Sequence, residues 1–262
     1  MGITRCDHML MLLGVCIGME KKEQEISTRE MIRGFNEKAV EAKTLITGGQ
    51  SVYNEYPIIG GVANTVVGPE EIIMPKGGKE GDLLILTKPL GTRIAVNLHQ
   101  WMKLNNDKWK KASAWISEEK CRKAFDICCT GMSGLNLTAA ELMRAYHCHG
   151  ATDVTGFGIL GHAKNLAEAQ QEPIDLVIHS LPTIAGMAEM SDKVVKYSFL
   201  KGYTAETSGG LLIMADKQLA DDYCKEFKKL TGRNAWIIGE VVKGKRTARL
   251  SEKLKITEVA EI

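Results

Sequence analysis

No stretch of this sequence is long and apolar enough to cross a bilayer, which takes about 20 consecutive apolar residues. The nearest candidate, MLMLLGVCIGM at residues 9–19, follows Asp7 and His8, precedes Lys21 and Lys22, and carries no small-x-small cleavage pattern. It reads as a buried strand, covered on both faces, rather than as a secretory signal. Charge of one sign is equally scarce. Lys plus Arg at 34 against Asp plus Glu at 32 leave a net charge of +2, with no basic stripe to track a phosphate backbone. Neither nucleic acid nor membrane is an expected partner. The seven cysteines are odd in number and irregularly spaced, and Cys128 and Cys129 are adjacent rather than a CxxC pair. Zinc and thioredoxin signatures are thereby excluded, and the thiols read as small buried hydrophobes of a reducing, cytoplasmic compartment. Repeats and low-complexity tracts are also missing.

What is present is the composition of an ordinary globular protein, 44% hydrophobic and 25% charged, in 262 residues that suit one large domain or two moderate ones. After the first strand, Ser27 or Thr28 can cap a helix whose apolar positions Met31, Ile32, Phe35, Ala39, Val40 and Ala42 share a side. Residues 44–68 make two β-like runs, the first ending at Gly48 and Gly49. GPEEIIMPKGGKEGD, at 68–82, concentrates Pro, Gly and charge and marks a junction, which divides the chain into 1–74 and 75–262. Beyond it come a strand in DLLILTKPLGT and a helix in RIAVNLHQWM, then a polar excursion at 103–119. Helix broken near 130–136, a helix at 159–170, strand DLVIHSL and a helix at 183–193 follow. GGLLIMA reads as a strand, 217–230 as a helix, and NAWIIGEVV and RTARL as a closing strand pair across a Gly-Lys turn. The class is mixed α/β (α+β), with a short first domain.

Two stretches carry the chemistry. In ITGGQS, residues 46–51, a strand stopping at Gly48-Gly49 lets the next amides turn toward a ligand, with Gln50 and Ser51 as added donors. Taken alone, the stretch is better explained by a tight hairpin turn, since it is neither a GK[ST] phosphate loop nor a GxGxxG. In HGATDVTGFGILGH, residues 149–162, Asp153 sits among glycines ahead of an apolar run. A hard cation such as Mg²⁺ takes carboxylate oxygens and keeps water and phosphate in its other positions. The alternative is an Asx-turn or a helix cap before Ile159. His147, Cys148 and His149 have no second ligand cluster and read as structural. Lys88 reads as solvated or paired, and Glu206 as a surface or capping acid.

TGGQS, GDLLILTKPLGT, HQWM, ATDVTGFGILGHA, ETSGGLL, AWIIGEV and RTARL occur in the order and spacing of the selenophosphate synthetase (selenide, water dikinase) family, and the chain resembles its eukaryotic branch from end to end. The resemblance implies a two-domain fold like that of aminoimidazole-ribonucleotide synthetase, with the N-terminal domain truncated here, and a homodimer. It implies ATP-dependent conversion of selenide and water to selenophosphate, phosphate and AMP, with Mg²⁺ and a potassium ion. Gly48, Gly49, Gln50 and Ser51 correspond to a nucleotide-contacting turn, and Asp153 to one Mg²⁺ ligand. The family's reactive Cys or selenocysteine, a catalytic Lys and further aspartates belong to an upstream segment that nothing here matches. The expectation is therefore an inactive, N-terminally shortened form. A non-catalytic paralogue with a regulatory or interaction role in selenium metabolism is the alternative, and a sister enzyme acting on a formylglycinamidine-type substrate is a third.

Overall fold

A computed structural model describes residues 2–261, which form two compact units: Ile3–Ile72, and the residues from Ile73 onward together with Gly2. In the first, strand β1 (His8–Cys16) is followed by helix α1 (Lys21–Glu41), β2 (Ile46–Asn54) and β3 (Ile58–Asn64). The sheet order is β2-β1-β3, with β2 parallel and β3 antiparallel to β1. Parallel neighbours need a crossover, and α1 is it. The helix starts at Lys21, ahead of the expected Ser27 or Thr28 cap, after a Glu20 that makes no side-chain capping bond. The Ser27 hydroxyl instead donates to the Gln24 carbonyl within the helix. Strong helix formers in KKEQE carry the extra turns.

Two further expectations for this unit are corrected. Phe35 of α1 packs against Gly61, opposite Met11, so the helix covers the face of Met9, Met11 and Leu13. The other face keeps Leu10, Leu12, Val52, Ile58 and Val62 exposed, so β1 is covered within the unit on one face only. The first β run also does not end at Gly48-Gly49. β2 continues through Gly48, Gly49, Gln50 and Ser51 to Asn54, and all four are exposed mid-strand residues. The pairing slips between Met9 and Leu10, and Gly49 takes a φ of +146° where a Cβ would lie 1.8 Å from the Met11 carbonyl oxygen. Those glycines answer to strand geometry, and there is no turn for a backbone nest.

The larger unit is built on a six-stranded sheet of order β5-β7-β4-β8-β6-β9. The strands are β4 (Leu83–Leu86), β5 (Gly150–Asp153), β6 (Ile174–Ile184), β7 (Leu211–Ala215), β8 (Trp236–Lys243) and β9 (Ala248–Val259). The helices are α2 (Thr92–Lys103), α3 (Asp107–Ala112), α4 (Glu118–Ser133), α5 (Leu137–Ala145), α6 (Gly158–Glu168), α7 (Met187–Met190) and α8 (Ala220–Thr231). Helices cover both faces. β4 shows why its run is apolar throughout: Leu84 and Leu86 join one core with Ile94, Leu98 and Leu176, while Ile85 joins a second with Met143, Tyr223 and Phe227.

Three details differ from the sequence pattern. β8 and β9 are not a pair, because β6 lies between them, antiparallel to β8 and parallel to β9. The expected helix at 183–193 starts later, because β6 runs to Ile184, and is made of short α7 followed by a π-helical turn at Ser191–Val195. The polar excursion contains α3, capped by the Asn106 side chain, which buries Trp109. All seven cysteines are free thiols. Among the described residues no helix is long and apolar enough to cross a membrane.

Candidate functional site

At one end of the larger sheet four connections meet: 87–91 between β4 and α2, 134–136 between α4 and α5, 154–157 between β5 and α6, and 206–210 leading into β7. Their joints are polar and buried. The Thr87 hydroxyl oxygen accepts from the Leu211 amide at 2.9 Å. Lys88, only 6% exposed, donates through Nζ to the carbonyls of Gly134 at 2.7 Å and Ser208 at 2.9 Å. Asn136 donates to the Gly209 carbonyl at 3.0 Å. A Cβ on Gly209 would stand 2.0 Å from the Val154 carbonyl oxygen, so the close approach of these two backbones demands glycine. Lys88 is thus a buried clamp, its ammonium satisfied by carbonyl oxygens, and not a solvated cation.

Glu206 ties the same loops to α2. Its Oε1 accepts from the Gly91 amide at 2.8 Å, and its Oε2 from the Thr92 amide and hydroxyl at 2.9 and 2.5 Å. It therefore caps a helix distant in sequence, supplying the acceptor that the N-terminal amides lack. Burial pushes its carboxyl up to about 7, against the opposing effect of those three donors. At the opposite end of β4 and β5, His149 Nδ1 lies 2.8 Å from Oδ2 of the buried Asp82, which also accepts from the Lys79 amide. That histidine is committed to a carboxylate, and Cys148 beside it is a buried thiol that burial pushes up to about 12.

Asp153 is the last residue of β5, an edge strand, in register with Leu211. It is exposed, and its carboxylate makes no hydrogen bond or ion pair among the described residues. Directly behind it stands His162 of α6. Its Nε2 accepts from the amides of Thr155 at 3.0 Å and Phe157 at 3.4 Å, with the Thr155 hydroxyl 3.2 Å away. Burial lowers the His162 pKa below its ordinary value, and the Asp153 charge works the other way. An uncommitted carboxylate at a strand end fits a Mg²⁺ ion, which binds through one or two carboxylates and is completed by water and phosphate. No group of three His, Cys, Asp or Glu able to hold a metal occurs among the described residues, so a cage made of protein ligands alone is not what these residues offer. Gly48, Gly49, Gln50 and Ser51 lie in the smaller unit and Asp153 in the larger.

Sequence reasoning passed over His162, which stands one helical turn into α6 and reaches back over the loop to the Thr155 amide. It also passed over GFGILG at 156–161, a GxGxxG after a strand and opening a helix. The structure gives that spacing a different cause. Gly158 has a φ of +71° and a Cβ there would meet the Gly202 carbonyl at 2.6 Å, and the Leu160 amide is already bonded to that carbonyl. β5 pairs antiparallel with β7, so no parallel βαβ dinucleotide unit exists here.

This mixed sheet with helices on both faces belongs to the AIR synthase related proteins: residues 79–250 match the family model of their C-terminal domain. Among solved structures, a thiamine-monophosphate kinase from Stenotrophomonas maltophilia K279a superposes with a TM-score of 0.72 at 15% identity, over 96% of this chain and 73% of that one. The hydrogenase maturation protein HypE in complex with ATP superposes at 0.64 and 16% identity, over 92% and 66%. At such identities the likeness concerns the fold. The closer kinship is in sequence: selenide, water dikinase 2 of Homo sapiens is 48% identical over 99% of this chain, and selenide, water dikinase of Dictyostelium discoideum 43% over 98%. The chain belongs to the selenide, water dikinase family. It spans 58% of the human relative's length and 73% of the Dictyostelium one's.

Proposed function

We propose that this chain carries the phosphate- and metal-binding part of an enzyme that makes selenophosphate, phosphate and AMP from selenide, ATP and water. The 48% identity to a selenide, water dikinase across 99% of the chain carries the proposal. Asp153 supplies one oxygen to Mg²⁺, and Gln50 and Ser51, exposed on β2, supply donors to the nucleotide through an extended strand rather than a turn. When bound, the metal neutralises charge on the phosphates, which is most of what phosphoryl transfer asks of its surroundings. The protein's own share is rigidity: Lys88, Glu206 and Asn136 lock the loops that border Asp153.

The 262 residues taken alone are proposed not to turn over, because a single carboxylate neutralises little of a divalent charge. Anaerobic phosphorus NMR with ATP, Mg²⁺ and selenide tests both statements. No selenophosphate resonance is expected from the chain alone, and ATP-dependent selenophosphate is expected when the part of the human relative that this chain does not span is joined to it. A selenophosphate signal from the chain alone overturns the first statement, and silence from the joined protein overturns the second.

The exposed apolar face of the smaller sheet, with Leu10, Leu12, Val52, Ile58 and Val62, supports the homodimer that the family resemblance implies. Light scattering should return twice the 28.8 kDa mass of one chain, and a monomer mass at all concentrations tested removes the dimer from the proposal.

A further inference from the structure

We propose that His162 is a positioning residue, whose Nε2 holds the turn at 154–157 and so fixes the Asp153 carboxylate for a divalent cation; this rests on the metal-binding role of Asp153 proposed above. Ladder bonds set Asp153 on its amino-terminal side, and the Val154 amide donates the last of them, to the Gly210 carbonyl at 3.0 Å. Past that point the chain turns with little to hold it. Gly156 borders open space, and Phe157, though 63% exposed, lays its ring against the His162 imidazole itself, with 5.2 Å between centroids. Besides that ring contact and the buried Val154 side chain, the restraints on the turn are polar: the Thr155 carbonyl accepts from the amides of Gly158 and Glu206, and the amides of Thr155 and Phe157 point inward to one imidazole nitrogen.

That ring is itself well anchored. His162 is 7% exposed on α6, whose Ile159, Ala163 and Leu166 are buried in the core. To accept two amides the imidazole must be neutral with its proton on Nδ1. Side chains that orient a metal ligand from behind carry a measurable share of metal affinity, and losing one costs about tenfold or more. Among the described residues the Asp153 carboxylate has no bonded neighbour to orient it, so its position is set by the backbone that carries it.

The experiment uses ¹⁵N-labelled chain titrated with Mn²⁺, whose paramagnetism broadens nearby amide resonances. In the wild type the amides of 152–157 broaden first, and D153N removes that local effect. H162L, which keeps the volume but not the acceptor, should raise the Mn²⁺ concentration for half-broadening about tenfold. H162Q, whose Oε1 falls near the position of Nε2, should restore it to within about twofold of the wild type by the same reasoning. A merely structural role predicts equal effects of H162L and H162Q in proportion to their melting temperatures. If H162L binds Mn²⁺ like the wild type while D153N does not, the positioning role is overturned and the role of Asp153 stands; if D153N broadens like the wild type, the role of Asp153 itself fails. Should H162L not fold, a through-hydrogen-bond coupling between the Thr155 amide nitrogen and His162 Nε2 in the deuterated wild type decides: its absence overturns the proposal.

Discussion

Exchanging Glu206 for alanine should destabilise the larger unit by on the order of 4 kcal/mol, the largest single-residue loss expected around the site. Three donors converge on that carboxylate, and all three would be left buried without a partner. The loss should appear in urea as a lower midpoint at unchanged slope. The carboxylate also sets a pH dependence. Its folded pKa, about 7, lies above the ordinary carboxylate value of 4.5 that the unfolded chain keeps, so between these values the folded chain holds a proton the unfolded chain has released. Folding is therefore favoured most below the unfolded value, and this contribution is lost as pH rises through about 7. The wild-type melting temperature should fall between pH 5 and pH 8 relative to that of E206Q, which has nothing to titrate there. Parallel curves for the two proteins would show a carboxylate ionised throughout, with its donors outweighing its burial.

The second large effect is expected at Gly49. An alanine there must place its Cβ within 1.8 Å of the Met11 carbonyl oxygen, in a backbone conformation, φ +146°, that side chains rarely adopt. Strain and overpacking together should cost about 4 kcal/mol, enough to open the β1–β2 pairing. Hydrogen exchange reads it: the amides that join 9–16 to 46–54 should lose protection in G49A. G48A makes the informative control, since a Cβ at Gly48 meets nothing nearer than Leu10 Cδ2 at 3.5 Å and should leave exchange unchanged. Equal behaviour of the two variants would mean that β2 relaxes around the added methyl group.

These two residues also show what the sequence made legible. The strands were readable because β4, β7 and β8 are apolar on both faces, and continuous runs such as LLIL and LLIMA leave little choice. Partners were not readable. β8 and β9 are consecutive strands with a Gly-Lys between them, which is the local pattern of a hairpin, yet β6 intervenes because the fold's pairing is decided across the whole sheet. Gly48-Gly49 looked like a stop because glycine commonly is one; its actual cause, a pairing slip against Met9 and Leu10, lies in a strand far away in sequence. Glu206 could be read as a capping acid, but the helix it caps begins at Thr92, and no window around ETSGG contains that helix. Asp153 stood out because glycines surround it, whereas His162 did not, since an acceptor for backbone amides leaves no compositional trace.

The β6–β9 pairing carries a kinetic consequence. These strands run parallel from Leu176 beside Ala248 to Ile184 beside Val259, so the sheet's outer rank is filled by a segment translated long after its partner. While the ribosome is still decoding residues 185–247, β6 has an unzipped flank of apolar side chains and bare peptide groups, open to any neighbouring nascent chain. Folding of this unit is therefore slow, set by loop closure over a long separation, and holdase chaperones would find their binding sites along that flank.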